Sequence, residues 1–377
     1  MVKSFQRKYY KNMINKVEID LNAIAHNVQV FKKKIDPETK IIGVVKANAY
    51  GHGLLETARA IWTAGADILA TFSLDEAVAL RVGKIRAPII VLGPVERSEF
   101  RRVIDFDITL TISDFETAYK LSREGARQNK WARVDLKIDT GMSRFGFSTG
   151  EFIENYKKIA SLEHIKITGL HSHFADARDK DFSQGQLMQM QNILFHFQQN
   201  KINPPLVHMA ATRAALDYPE SHFDAIRVGL GIYGYSDSQN TDGEFQAVLE
   251  LASQISQIRM VGKGQSVGYQ RTFIAKNASK IAVIPFGYSD GYPRSLSNKA
   301  DVLIDGKRAR VVGLVCMNIL MADVTGIKCA VGDEVVLIGA RGSDKVDAVE
   351  LAKLAGTNTH EILARINPLL PREYHFK

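Results

Sequence analysis

Several short stretches carry residues whose types could do chemistry. In VVKANAYGHG an apolar run ends on Lys46. An ammonium at the end of a buried strand loses hydration, so it takes a strong partner, a lowered pKa, or covalent use as a Schiff base. KIDTGMSRFG sets Lys137 in a strand and Arg144 just beyond it, with Gly141 and Gly146 around a tight loop. A guanidinium there suits an anionic oxygen or caps a helix at the surface. In GLHSHFADA, His171 and His173 alternate along an extended run and share a face, a spacing open to a metal. A metal hydrolase needs ligands from other strand ends, and only His208 obviously offers one, which argues against that reading. IRVGLGIYG places Arg227 in an apolar strand and follows it with glycines whose amides can approach a phosphate. Tyr269 in SVGYQRTF, and Tyr288 and Arg294 in PFGYSDGYPR, read singly as turn or interface residues.

The elements that must position these residues follow from periodicity. From residue 17 to about 230, short β-branched runs alternate with helical stretches such as LLETARAIWTAGA and SLDEAVALRVGK. The strands are VEID at 17–20 as a lead-in, then IIGVV, DILATF, PIIVLG, ITLTI, VDLKI, ITGLHSH, LVHM and AIRVG. Eight such units suit a closed (β/α)8 barrel, whose reacting groups gather at the C-terminal strand ends. An open doubly wound sheet is disfavoured because no GxGxxG turn follows residue 45. After about residue 245 the pattern shifts to period two with Gly and Asp-Gly turns, including Asp305-Gly306, which predicts a mostly β domain. AVELAKLAGTNTHEILARI closes it as helix, break and helix. The expected organisation is a lead-in over 1–16, a barrel over 17–245 and a β domain over 246–377.

Composition narrows the classes further. At 377 residues and 45% hydrophobic, the chain is too long for one small module and too apolar for disorder. Two cysteines, Cys316 and Cys329, make neither a disulfide framework nor a zinc motif, so they are expected to be core thiols in a reducing, cytoplasmic setting. No apolar run reaches membrane-spanning length, and a net charge of +8 permits anionic ligands without requiring nucleic acid. The densest basic piece, Lys3, Arg7, Lys8, Lys11 and Lys16 among Phe5, Tyr9 and Tyr10, reads as a solvated lead-in or a face for anionic lipid.

Taken together, VVKANAYGHG, KIDTGMSRFG, LHSHF, IRVGLGIYG, SVGYQRTF, GYSDGYPR and VCMN, in that order, resemble the alanine racemase family along nearly the whole chain. The resemblance implies a TIM-type barrel, a pyridoxal 5′-phosphate cofactor and a homodimer with shared active sites. It implies that Lys46 forms the Schiff base with the cofactor and acts as one base, and that Tyr269 of the partner subunit acts as the other. It also implies that His173 links that tyrosine to Arg227, and that Arg227 faces the pyridine nitrogen. An arginine there would not protonate the ring, so the electron sink is weakened in favour of returning the proton. Arg144 would reach the phenolic oxygen and the substrate carboxylate. Lys137 matches a position that is carbamylated in relatives. Phosphate binding falls to Tyr50, Thr212, Gly229 and Leu230, while Met317 and Tyr288 lie near the substrate.

Three departures bear on substrate choice. His360 stands where the family usually has a gate tyrosine that touches the phosphate. Asn318 replaces the usual aspartate, and Leu314 an entrance arginine. Similar gates occur in serine racemases, including the cytoplasmic half of membrane-bound vancomycin-resistance racemases. The expected activity is therefore racemisation of alanine, with serine as a second or main substrate, supplying D-amino acid for cell-wall peptides. A membrane association enters only if a membrane domain has been removed. The rivals are a non-catalytic pyridoxal-phosphate-binding protein, a decarboxylase of the same barrel type and, more distantly, a metal hydrolase.

Overall fold

The computed structural model describes residues 14–241 and 243–376. Most of the basic lead-in, from Lys3 to Lys11, lies outside the described residues. The chain forms two compact units: one of residues 23–49 and 54–246, the other of the N-terminal residues up to Asn22, Tyr50–Gly53 and the chain from Ala247.

The first unit is built on eight parallel strands: Lys40–Val44, Ile68–Thr71, Ile89–Val91, Thr109–Ile112, Ala132–Asp139, Ile165–His171, Leu206–Ala211 and Ala225–Val228. The last pairs back onto the first, Ile226 opposite Ile41 and Arg227 opposite Ile42, so the sheet closes on itself. Closure leaves no free strand edge, and the outward faces bury apolar residues beneath the helices. The sequence marks where helices begin. Ser73 starts Leu74–Val82 with a reciprocal capping box to Glu76, and Asp114 caps Phe115–Gln128 through the Thr117 amide at 2.7 Å. Asn129, in the left-handed region at φ 51°, stops that second helix.

The second unit contains a ten-stranded sheet. Its hairpin between Asp301–Ile304 and Lys307–Val311 turns at Asp305 and Gly306, both at positive φ, as a two-residue turn of this twist requires. The strand Lys16–Asp20, whose VEID core was counted on sequence with the barrel range 17–245, belongs here instead. It pairs antiparallel with Leu249–Gln254 and parallel with Arg372–His375. Its alternating burial, with Val17 and Ile19 fully buried, matches a strand with one face on this unit's core. The closing helices Ala348–Ala355 and Thr359–Ala364 are separated by Gly356 in the left-handed region. Cys316 and Cys329 are free thiols, half-buried rather than in the core. Lys280 Nζ lies 3.5 Å from Cys329 Sγ.

Candidate active site

The interior of the barrel is unusually polar. Asp135 and Lys137 come from the fifth strand, His171 ends the sixth, and His208 and Arg227 come from the seventh and eighth. All five are buried. Such groups are tolerated best when hydrogen-bonded, and four of them, all but Lys137, are joined in a chain. Asp135 accepts from His171 Nδ1 at 3.0 Å and from His208 Nε2 at 2.8 Å. His208 Nδ1 lies 2.7 Å from Arg227 Nη1, which also donates to the His208 carbonyl. Arg227 Nη2 serves the Ser172 and Met209 carbonyls and His173 Nδ1, at 2.6, 2.9 and 3.0 Å. The Nε–H of Arg227 takes no partner among the described residues.

Donor–acceptor logic fixes the protons along this chain. A guanidinium is donor-only, so His208 Nδ1 and His173 Nδ1 must accept, which leaves each ring's proton on Nε2 when it is neutral. Burial, reinforced by Arg227, lowers His173 well below an ordinary histidine. Burial likewise lowers His208 against the opposing pull of Asp135, and brings His171 to about 3. Burial opposes ionisation of Asp135, but the His208 and His171 rings hold its carboxyl below the ordinary range. The network therefore holds one anion, one cation and neutral imidazoles between them. Arg227 itself is lowered by burial to about 10, still charged at neutral pH.

Asp135, His171 and His208 also present their ligand atoms within 4.8 Å of one another. Their nitrogens are already committed to Asp135, and the far nitrogen of His208 faces Arg227. A guanidinium against the cluster disfavours a further cation there. The two histidines read from sequence as one ligand pair also have different partners. His171, the last residue of its strand, turns to Asp135, whereas His173, in the following loop, accepts from Arg227.

Lys46 follows the first strand and opens a left-handed turn: Ala47, Asn48, Ala49 and Tyr50 lie at φ 53–55°. Left-handed conformation costs a non-glycine residue about 1–2 kcal/mol, so this turn needs external support. Ala49 N bonds Val45 O, Asn48 N donates to the Glu76 carboxylate at 3.0 Å, and Asn48 Oδ1 accepts from Leu54 N at 2.9 Å. Glu76 thus serves its own helix cap and the lysine turn together. Lys46 makes no ion pair among the described residues. Burial, then Arg144, pulls its ammonium below the ordinary lysine value, with Glu76 opposing.

Arg144 is exposed on the loop predicted around Gly141 and Gly146, which is organised by Asp139 accepting from the amides of Gly141, Met142 and Ser143. Gly146 is required there, because a Cβ would come within 2.7 Å of Asp139 N. Lys137 is brought to about 8 by burial, then by Arg227 and Arg144. Its Nζ lies 5.0 Å from the Phe145 ring centroid. Thr212 Oγ1 accepts from the Gly229 and Gly231 amides at 3.3 and 3.2 Å, which ties the glycine segment around Leu230 to the end of the seventh strand.

The remaining predicted residues belong to the second unit. Tyr50 is buried, which raises its phenol, and its ring sits 5.7 Å from that of exposed His360. Tyr269 is 73% exposed, in a short helical turn after Gly268. Tyr288, Met317 and Asn318 are exposed on two apposed loops. Tyr288 N bonds Cys316 O, Ser289 N bonds Met317 O, and Asn318 Nδ2 donates to Ser289 Oγ at 2.6 Å. Leu314 is half-buried nearby. Asp135, Gly169 and Glu76 take part in this arrangement although the sequence reading did not single them out.

This donor set fits a phosphorylated pyridine aldehyde. It offers a primary amine with a depressed pKa, a buried guanidinium with one N–H left over, and glycine amides gathered at a threonine. Fold and site together define a barrel enzyme that uses pyridoxal phosphate. Residues 19–237 match the family described as alanine racemase, N-terminal domain, and residues 248–374 its C-terminal domain. The alanine racemase of Halothermothrix orenii is 38% identical over 365 residues, covering 96% of both chains. The alanine racemase of Bacillus anthracis, crystallised with L-Ala-P, superposes with a TM-score of 0.90 at 31% identity, covering 97% of this chain and 95% of that one. That of Bartonella henselae, with covalently bound pyridoxal phosphate, gives 0.87 at 27% identity over 97% and 100% of the two chains. The chain belongs to the alanine racemase family, and it is a pyridoxal-phosphate-dependent amino-acid racemase.

Proposed function

We propose that this chain interconverts L- and D-alanine, with L- and D-serine as a further substrate pair, and that its bases are Lys46 and the partner subunit's Tyr269. The observation that carries this reading is Arg227: Nη1 and Nη2 are held inside the barrel, and Nε–H alone is left to face a ring nitrogen. When bound, pyridoxal phosphate supplies an electron sink that acidifies the substrate's α-hydrogen. Tyr50, Thr212, Gly229 and Leu230 hold its phosphate in this reading.

The chain's own residues do the rest. Burial and Arg144 pull the Lys46 ammonium below the ordinary lysine value, which eases loss of its proton, and it takes or returns a proton on one face of the α-carbon. Inversion needs a second group on the opposite face, in the complementary protonation state. His173 is left with Nε2–H by its bond to Arg227, so it can donate to a tyrosine oxygen and favour the phenolate. Arg144 orients the substrate carboxylate. Lys137, buried near two guanidiniums and without a carboxylate ion pair among the described residues, suits reaction with carbon dioxide to a carbamate whose negative charge would fix Arg144.

The shared site requires a homodimer, and the exposure of Tyr269, Ile274, Tyr288, Met317 and Ile319 on the second unit supports one. Among the described residues no helix is long and apolar enough to cross a membrane. We place the enzyme in the cytoplasm, supplying D-amino acid for cell-wall peptides.

Serine activity is supported by His360, a smaller and more polar ring than tyrosine, packed on Tyr50. Kinetics on both L-amino acids test it. Alanine and serine should both turn over, and His360→Tyr should lower serine turnover more than alanine turnover. Serine turnover at the blank rate removes the second substrate. Borohydride reduction of the holoenzyme followed by peptide mapping should place the cofactor on Lys46, and a label elsewhere overturns the assignment.

A further inference from the structure

We propose that Asp135 is a positioning residue: its carboxylate keeps the proton of His208 on Nε2, so that the Nδ1 lone pair is free to hold Arg227 in place. The proposal rests on the reading that Arg227 faces the cofactor ring, and it reaches one residue further back into the barrel.

A carboxylate is acceptor-only, and Asp135 spends its oxygens separately, Oδ1 on His171 and Oδ2 on His208. His208 is read from both ends. Only the Nε2–H tautomer gives Asp135 a proton at 2.8 Å and Arg227 a lone pair at 2.7 Å. The opposite tautomer would point two N–H groups at each other across that shorter contact, and a fully protonated ring would place an imidazolium against a guanidinium with no water between. Arg227 has no direct carboxylate partner among the described residues, so its nearest counter-charge reaches it through this imidazole.

A second, independent feature shows that the strands are arranged around the carboxylate. Gly169 lies opposite Asp135 in the ladder, and a Cβ there would stand 2.8 Å from the Asp135 carboxyl. Gly169 is not among the glycines at positive φ, so its backbone does not demand glycine. Room for the Asp135 side chain does. His171 makes the carboxylate's other bond, with its ring stacked on His208 at 5.0 Å and 11°. The carboxylate is thus braced from a second side.

Asp135→Asn tests this with almost no change in shape. Its amide must turn an NH2 towards one of the two histidines, and that ring then has to change tautomer or lose its bond. The holoenzyme variant should remain folded by circular dichroism and bind cofactor. It should show a shifted absorbance maximum of the bound cofactor, and its kcat with L-alanine should fall about ten- to a hundredfold with a smaller change in KM. In an Arg227→Gln background the same substitution should change neither spectrum nor kcat further, because the residue it acts through is already gone. Nitrogen-15 spectra of histidine-labelled wild-type holoenzyme should show His208 protonated on Nε2 alone.

A His208 proton on Nδ1 overturns the proposal, as does a folded Asp135→Asn enzyme with wild-type spectrum and kcat, or equal losses in both backgrounds. An Asp135→Asn chain that fails to fold while His208 in the wild type is protonated on Nδ1 also overturns it. An Arg227→Gln enzyme whose cofactor spectrum matches wild type instead removes the placement of Arg227 itself, and with it the basis of the proposal.

Discussion

The barrel interior and the exposed loops of the second unit hold their functional side chains in opposite ways. Around Arg227 the groups are buried or half-buried and cross-braced: the guanidinium alone meets two imidazoles and three carbonyls. Tyr269, Tyr288 and Met317 stand 73, 42 and 57% exposed. In that unit the backbone is fixed instead. Gly287 is so close to the Cys316 and Met317 carbonyls that no Cβ fits, and Gly268 at φ 75° sets the direction of the following tyrosine. A polar network of this kind is held in place by the side chains of its own chain. Exposed aromatic and thioether side chains on rigid loops are complete only when something covers them, and a second copy is the cover proposed here.

That contrast is open to attack from both sides. The largest effect should follow loss of the exposed phenol: Tyr269→Phe should cut turnover by about 10²–10⁴-fold while leaving thermal stability nearly unchanged, since little of its surface is buried in the chain. A full racemase rate in that variant would remove Tyr269 as the second base.

On the buried side, acid should strike first. His171, His173 and His208 have folded pKa values below their unfolded value of about 6.5. Their contribution is therefore fully present above pH 6.5 and is lost as pH falls towards the folded values, about 3 for His171. The depressed Asp135 carboxyl adds loss in the same direction at lower pH. Unfolding free energies from urea titrations at pH 7.5 and 4.5 should differ by about 2–3 kcal/mol from His171 alone. Equal free energies would mean that the imidazoles are not held neutral.

A smaller effect concerns Lys137. With a folded pKa near 8 against an ordinary 10.5, the buried ammonium costs about 3 kcal/mol at neutral pH. Reaction of its neutral amine with carbon dioxide, with release of a proton, would replace that ammonium by a carbamate anion facing Arg227 and Arg144. Enzyme equilibrated with carbon-13 bicarbonate should show a carbamate carbon resonance that is missing in Lys137→Ala. Identical spectra from the two proteins would remove that role.

Much of this was legible in the sequence because it is written locally. Eight β-branched runs gave the barrel strands to within a few residues, and the Asp305-Gly306 hairpin followed from turn chemistry. Lys46 and Arg227 stood out as charges in apolar runs. Asp135 was passed over although it lies two residues before Lys137, on the same face of the strand, because a lone aspartate in a strand has no local mark. Its meaning comes from Gly169, His171 and His208 on two other strands. The left-handed turn after Lys46 was hidden for a related reason. Nothing in ANAY requires positive φ, and the turn persists because Glu76, 28 residues away, bonds the Asn48 amide. The strand Lys16–Asp20 was placed with its sequence neighbours, whereas its partners lie beyond residue 248.

The central claim is that one active site draws Lys46 from one subunit and Tyr269 from its partner. Lys46→Ala and Tyr269→Phe, each nearly inactive alone, should regain activity when co-expressed and assembled together. Half of randomly mixed dimers are hybrids, and each hybrid carries one intact site and one doubly altered site, so about a quarter of the wild-type rate should return. If verified hybrid dimers show no recovery above the two separate variants, the site is not shared and the account fails.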